Sequence, residues 1–351
     1  MQLNIFLTTP AYTGIGKYAQ DIIASIKIPV KVQSLLFEKP RVTSKYLGDI
    51  YTGTLQVPFL SGWYLNSHFQ SFAFGRFYRK LLEADDDGVV YHYVDMTLKP
   101  LLPIERSVIT IHDFFMVSKK YIDRYGYRHV RYITDNMRHY NKFQYVITDS
   151  IQVKNEALEI GFDAEPVVIY PPVASYFKPL NDKALLRKKW GLPEDKTLIL
   201  SVSTDDPRKN LGTVVETVRS FGEKFALVRV GPKVNGAYNF SNLSGDEMNE
   251  VYNSCDVMLF PTLDEGFGYP LVEAMSVGLP VVSSDIDIVK EVSAGAAVLA
   301  HPDVEHCRSG IKEALSDPNY FSKKGLERSK LFTMERFSKM LEEFYMTVLK
   351  H

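Results

Sequence analysis

The sequence predicts an α/β protein of two Rossmann-like domains facing each other across a cleft. Three observations predict it. The chain has 351 residues, too long for one ordinary core and suited to two. Short β-rich runs alternate with helical patterns over most of the length, as a parallel sheet with crossover helices requires. Near Val167–Val173 a strand pattern runs into Pro171-Pro172 and a polar stretch through Pro179 and Asp182, the composition of a linker. The expected division is residues 1–172, residues 173–333, and a closing helical segment 334–351.

In the first half the expected strands are Leu3–Leu7, Val30–Leu36, Val89–Tyr93, Ser107–Ile111 and Tyr145–Thr148. In open α/β sheets ligands bind beyond the carboxyl ends of the strands. His112, just after Ser107–Ile111, is therefore a site candidate, although a histidine there also serves as a satisfied structural residue. His92 and Asp95, beside another strand, are candidates for the acceptor side. The segment Pro10-Ala-Tyr12-Thr13-Gly14-Ile15-Gly16-Lys17-Tyr18-Ala19 fits G-x-G-x-x-A, with Glu38 about where a ribose-binding acid belongs in a dinucleotide site. Against a dehydrogenase, Thr8–Thr13 separates Gly14 from the strand and Pro10 interrupts, whereas the fingerprint glycine follows its strand directly.

The second half continues with strand Thr197–Val202, a helix from Leu211, strand Ala226–Val230, helix Gly245–Asn253, strand Val257–Pro261, helix Pro270–Val277 and strand Val281–Ser283. In the last stretch, Phe337, Met340, Leu341, Phe344, Tyr345 and Val348 recur at helical spacing.

Composition excludes several classes. Net charge is -1, which gives no field toward nucleic acid. Two cysteines rule out a disulfide framework and fit a reducing compartment. No run approaches the ~20 apolar residues of a membrane span, and the N-terminus lacks signal-peptide features. The expectation is a cytoplasmic, soluble protein.

The densest chemical signal spans residues 262–284. An apolar strand leads into a loop with Gly266 and Gly268, whose backbone can approach a ligand closely. Pro270 suits a helix start and Gly278 its end. Free amides of Tyr269, Leu271 and Val272 at that helix N-terminus would bind an anion. Glu265 and Glu273 bracket the loop. Upstream, Pro207-Arg208-Lys209-Asn210 reads either as a solvated turn capped by Asn210 or as a cationic phosphate site.

Glu265-Gly-Phe-Gly-x-Pro-x-x-Glu273-Ala-Met-x-x-Gly-x-Pro resembles the E-x7-E signature of the GT4 family of retaining glycosyltransferases, which have the GT-B fold. Asp256–Pro261, Ser201–Leu211, Ile111-His112-Asp113 and Thr148-Asp-Ser150 sit in family order. The resemblance implies that Glu265 meets the donor sugar and Glu273 the ribose hydroxyls. Gly266, Phe267 and Gly268 would offer backbone amides to sugar hydroxyls. Lys209 and Arg208 would hold the diphosphate, His112 would touch the sugar, and the loop at Gly14 and Gly16 would close over the phosphates. Many relatives carry a further arginine near Ser203, and the resemblance implies that the C-terminal helix, 334–351, crosses back to the N-terminal domain. The implied reaction is a metal-independent, retaining transfer from a nucleotide-diphosphate sugar to a carbohydrate or glycolipid acceptor, with no cofactor. An epimerase, a non-catalytic sugar binder and a dehydrogenase are the competing classes, and the retained Glu265, Glu273, Arg208 and Lys209 argue against all three.

Two features stand outside that pattern. Residues 119–142 carry seven basic side chains interleaved with tyrosines. They read as a solvated helical face over packed tyrosines, or as an acceptor or anionic-membrane surface giving weak peripheral contact. Asp85-Asp86-Asp87 and Asp285-Ile-Asp287 are acidic clusters, but the cations and the helix terminus already supply the charge a metal would give, so no metal is expected.

Overall fold

Among the described residues of the computed structural model, every paired strand is parallel. The structure describes residues 2–7, 13–26, 30–34, 51–54, 88–96, 104–115, 134 and 137–350. Pro10–Tyr12, Glu38, Asp85–Asp87 and residues 116–133, with most of the basic stretch, lie outside them. The chain divides into two units, Met1–Pro171 with Phe337–His351, and Pro172–Arg336.

The first unit holds β1 (Gln2–Leu7), β2 (Val30–Ser34), β3 (Tyr51–Thr54), β4 (Val89–Tyr93), β5 (Ser107–Ile111), β6 (Tyr145–Thr148) and β7 (Val167–Val168), ordered β3-β2-β1-β4-β5-β6-β7. All five residues of β4 and of β5 are buried, the pattern of strands covered on both faces. Phe6 stacks on Tyr93 at 4.9 Å between centroids, and Tyr140 and Phe143 close the same cluster. The strand expected over Val167–Val173 is confined to Val167–Val168. Ile169 still donates to Thr148 O, but prolines 171 and 172 have no amide to continue the ladder.

The closing helix, Met334–Val348, lays Phe337, Leu341, Tyr345 and Val348 against the first unit, a stripe at spacings of three and four. Phe337 meets Tyr18 edge-on, and Ser338 Oγ donates to Ser25 O at 2.5 Å.

The second unit holds β8 (Thr197–Val202), β9 (Phe225–Val230), β10 (Tyr238–Phe240), β11 (Val257–Phe260), β12 (Val281–Ser284) and β13 (Val298–Ala300), ordered β10-β9-β8-β11-β12-β13. Numbered within the unit this is 3-2-1-4-5-6, the Rossmann order, whose crevice opens where the winding reverses, between β8 and β11. Asp256, just before β11, ties the underside together. Its Oδ2 accepts the Leu198 amide at 2.7 Å and Arg187 Nη2 at 2.6 Å.

Candidate active site

The reversal point of the second sheet brings two loops together. After β8, Asp206 accepts the Arg208 amide at 3.0 Å and caps a 3-10 turn, Pro207–Lys209, which Asn210 ends at φ 53°. After β11, Leu263 donates its amide to Arg208 O at 2.6 Å, and the Thr262 hydroxyl lies 3.2 Å from the same carbonyl. The stitch sets Lys209 beside Glu265, and Lys209 Nζ forms an ion pair with Glu265 Oε1. Their side chains are 13% and 9% exposed, so the pair sits at the edge of the fold, still reached by solvent. Lys209 also lies 5.9 Å from the Phe260 ring centroid.

The helix that follows, Tyr269–Ser276, starts from Gly268 at φ 91°, a left-handed conformation that favours glycine. It ends in a Schellman motif: Gly278 donates to Met275 O and Leu279 to Ala274 O. Pro270 is its second residue. The amides of Leu271 and Val272 are not free, contrary to expectation. Both donate to Gly268 O, at 3.0 and 3.4 Å. Phe267 is buried, edge-on to Tyr269 and Phe332, so its ring is core. Glu273, 6% exposed, accepts from the Tyr252 hydroxyl at 2.7 Å. Burial first, then the Glu273 carboxylate, pushes the Tyr252 phenol pKa well up, so the hydroxyl stays a donor.

Nothing in the sequence pattern flagged Tyr252, which arrives from another helix, nor Arg229. The Arg229 guanidinium is fully buried and donates to the carbonyls of Ser201, Val230 and Ser203, the last at 2.6 Å. Burial lowers its pKa to about 10, while Asp205 acts the other way. Gly231, at φ 132°, makes room: a Cβ there would fall 2.1 Å from Ser203 O and 2.9 Å from Arg229 Nη2. The sequence has no arginine at position 203, and a buried one from β9 reaches that backbone instead.

In the first unit the predicted residues separate into different environments. Gly14 and Gly16 belong to the first turn of the Gly14–Ser25 helix. The Gly16 amide is taken by the Thr13 hydroxyl at 3.0 Å. His92 lies inside β4 with no exposed surface, so it does not line an acceptor face. Its nitrogens meet Tyr345 OH at 2.6 Å and Thr110 Oγ1 at 2.7 Å. Burial and the neighbouring His112 cation lower its pKa to about 3. Asp95 is likewise buried, its carbonyl accepting from Tyr140 OH at 3.4 Å. Tyr140, the described member of the tyrosine series near 119–142, is core.

His112 stands at the end of β5 with both ring nitrogens occupied. Nδ1 is 2.5 Å from Asp149 Oδ2, and Nε2 is 2.7 Å from Val94 O. A carbonyl can only accept, so Nε2 carries a proton; an ionised Asp149 then makes the ring a cation. Burial opposes that charge, but the Asp149 carboxylate outweighs it, with help from Val94 O, and raises the His112 pKa to about 9. A ligand would reach a ring nitrogen only by displacing Val94 O or Asp149. Asp285 and Asp287 do not converge as a metal cage: Lys290 Nζ bridges them at 2.8 and 3.6 Å.

The fold is shared with sucrose-phosphate synthase from Thermosynechococcus elongatus (TM-score 0.78, 17% identity, 100% of both chains). It is also shared with Anabaena HepE solved with UDP and glucose (TM-score 0.78, 16% identity, 97% of this chain and 98% of the other). In sequence the chain is 23% identical to an O-antigen chain mannosyltransferase of Salmonella typhimurium, over 92% of this chain and 93% of that protein. Two Rossmann-type units with this relative define the class as a glycosyltransferase of GT-B architecture. Residues 182–328 match the model of the glycosyl transferases group 1.

Proposed function

We propose that the protein transfers a hexose from a nucleotide-diphosphate sugar to a glycan or glycolipid acceptor, with retention at the anomeric carbon and no required metal. The carrying observation is the Lys209–Glu265 pair at the reversal point of the second sheet. Without donor the two charges neutralise each other. A diphosphate competes for Lys209, and Glu265 then accepts a sugar hydroxyl. Glu273, held by Tyr252, is the ribose partner. The bond from the anomeric carbon to the diphosphate breaks, the acceptor oxygen attacks from the same face, and its proton passes to the departing phosphate oxygen. Lys209 and Arg208 stabilise the charge that gathers there, the part a metal would otherwise play.

The Salmonella relative's name makes mannose the first sugar to try, and the HepE complex makes glucose the second. Nucleotide release should be measured over UDP-, GDP- and ADP-sugars with and without EDTA, and the product anomer assigned by NMR. Release from one donor, insensitive to EDTA and giving a retained anomer, is expected. An inverted product or loss with EDTA overturns the corresponding part. We place the enzyme in the cytoplasm, with residues 119–142 as an acceptor or membrane surface; equal, negligible sedimentation with anionic and neutral liposomes would remove the membrane role. No helix among the described residues is long and apolar enough to cross a membrane.

A further inference from the structure

We infer that His301, Asp303 and His306 form a binding site for a divalent transition ion, Zn2+ by donor set, on the surface of the second unit. The chain leaves β13 at Ala300, turns through His301-Pro302-Asp303 and enters the Val304–Ser316 helix. Asp303 caps that helix, its Oδ1 accepting the His306 amide at 2.9 Å. The cap fixes the carboxylate between two rings. His301 Nδ1 lies 2.8 Å from Oδ2, and His306 Nδ1 lies 2.8 Å from Oδ2 and 2.9 Å from Oδ1. One donor atom from each of the three residues falls within 4.8 Å of the others. Zn2+ at ~2.0–2.2 Å from each donor needs separations of roughly 3.3 Å, within reach of small side-chain rotations.

Two imidazoles and a carboxylate are the mixed nitrogen and oxygen set that Zn2+ accepts, with a fourth position left for water. The proton balance is favourable. Each Nδ1 now carries a hydrogen toward the carboxylate. In the other neutral tautomer that hydrogen sits on Nε2, so the Nδ1 lone pair is freed without a change of charge. Both rings are more than half exposed, at 72% and 60%, so the relocated N–H meets water and a water can complete the ion's shell.

The site is separate from the Lys209–Glu265 pair but linked to it mechanically. The Pro302 carbonyl, between two of the ligands, accepts Asn210 Nδ2 at 2.8 Å, and Asn210 directly follows Lys209. An ion on this segment stiffens the turn after Lys209 and contributes no ligand to the reaction.

The test is calorimetric titration of Zn2+ into the EDTA-stripped full chain, for wild type, His301→Ala, His306→Ala and the double variant. Asp303 is left in place, so the helix cap survives and metal-free melting should match wild type. The wild type should bind one ion at this site, each single variant should lose at least the ~10-fold that even an outer-shell change costs, and the double variant should lose the site. Co2+ should give tetrahedral d–d absorption in the wild type that the double variant lacks. Unchanged Zn2+ affinity in the double variant, or no uptake by the wild type at millimolar Zn2+, overturns the inference. Neither result bears on sugar transfer, which is tested by nucleotide release.

Discussion

His112–Asp149 in the first unit and Lys209–Glu265 in the second are both ion pairs at the carboxyl ends of parallel strands. They differ in what is left over. His112 has two polar nitrogens and spends both on its own chain, on Asp149 and on Val94 O. Lys209 has three hydrogens, one carboxylate partner, and a place beyond the carboxyl ends of the two central strands, with part of its side chain still exposed. The first pair is closed and holds a strand end in shape. The second can exchange its partner for a ligand. A charge at a strand end is therefore not enough to identify a reacting group; the number of donors its fold leaves uncommitted decides.

The largest expected effect is at the exchangeable pair. Lys209→Ala removes a cation facing the departing phosphate and should cost ~3 kcal/mol of barrier, on the order of 10²–10³ in turnover. Steady-state nucleotide release measures it. Turnover within a factor of two of wild type would return Lys209 to the bland reading of a solvated turn.

The closed pair should register in stability instead. His112 has a pKa raised to about 9 in the fold against ~6.5 unfolded, so its contribution is full below pH ~6.5 and is lost as pH rises toward 9. His92 has the opposite shift, to about 3; the unfolded chain takes up a proton that the fold refuses, so stability falls as pH drops below ~6.5 toward 3. The two histidines bracket a maximum at near-neutral pH. In urea unfolding against pH, His112→Gln should flatten the alkaline limb and His92→Gln the acid limb. A variant that lowers stability equally at every pH would show packing, not titration, as the cause.

The smallest effect is expected from Tyr252→Phe. It removes one donor from Glu273 and leaves the ring in place. Donor KM should rise by less than about tenfold, the ~1 kcal/mol of one hydrogen bond, with kcat nearly kept. A large loss of kcat would mean that Glu273 acts on the reacting centre and not on the ribose.

The same contrast explains what could be read from the chain alone. A run such as Val257–Phe260 is apolar on both faces and bounded by polar residues and proline, so its strand was legible. Lys209 and Glu265 were legible because each lies in a local motif at the end of such a strand. Their pairing needs the Leu263–Arg208 stitch, which joins loops 55 residues apart in sequence. Tyr252 and Arg229 were missed because each acts on a residue in another element, and nothing local marks them; Asp149 was noted within Thr148-Asp-Ser150, but its pairing with His112 is a contact between two strand ends. Gly14 and Gly16 fit G-x-G-x-x-A in the sequence, and the structure puts them in the first turn of a helix that Thr13, a good N-cap, starts. His92 misled because a polar residue within a strand looks exposed until both faces of the sheet are seen to be covered.

The central claim is that Lys209 leaves Glu265 when a diphosphate arrives. Calorimetric binding of UDP and of GDP, without sugar, to wild type, Glu265→Gln and Glu265→Gln/Lys209→Met tests it most directly. Freed from its competitor, Lys209 should bind the accepted nucleotide several-fold more tightly in Glu265→Gln, and Lys209→Met in the same background should abolish that gain. Equal or weaker binding by Glu265→Gln would contradict the exchange and leave the pair as a fixed structural bridge.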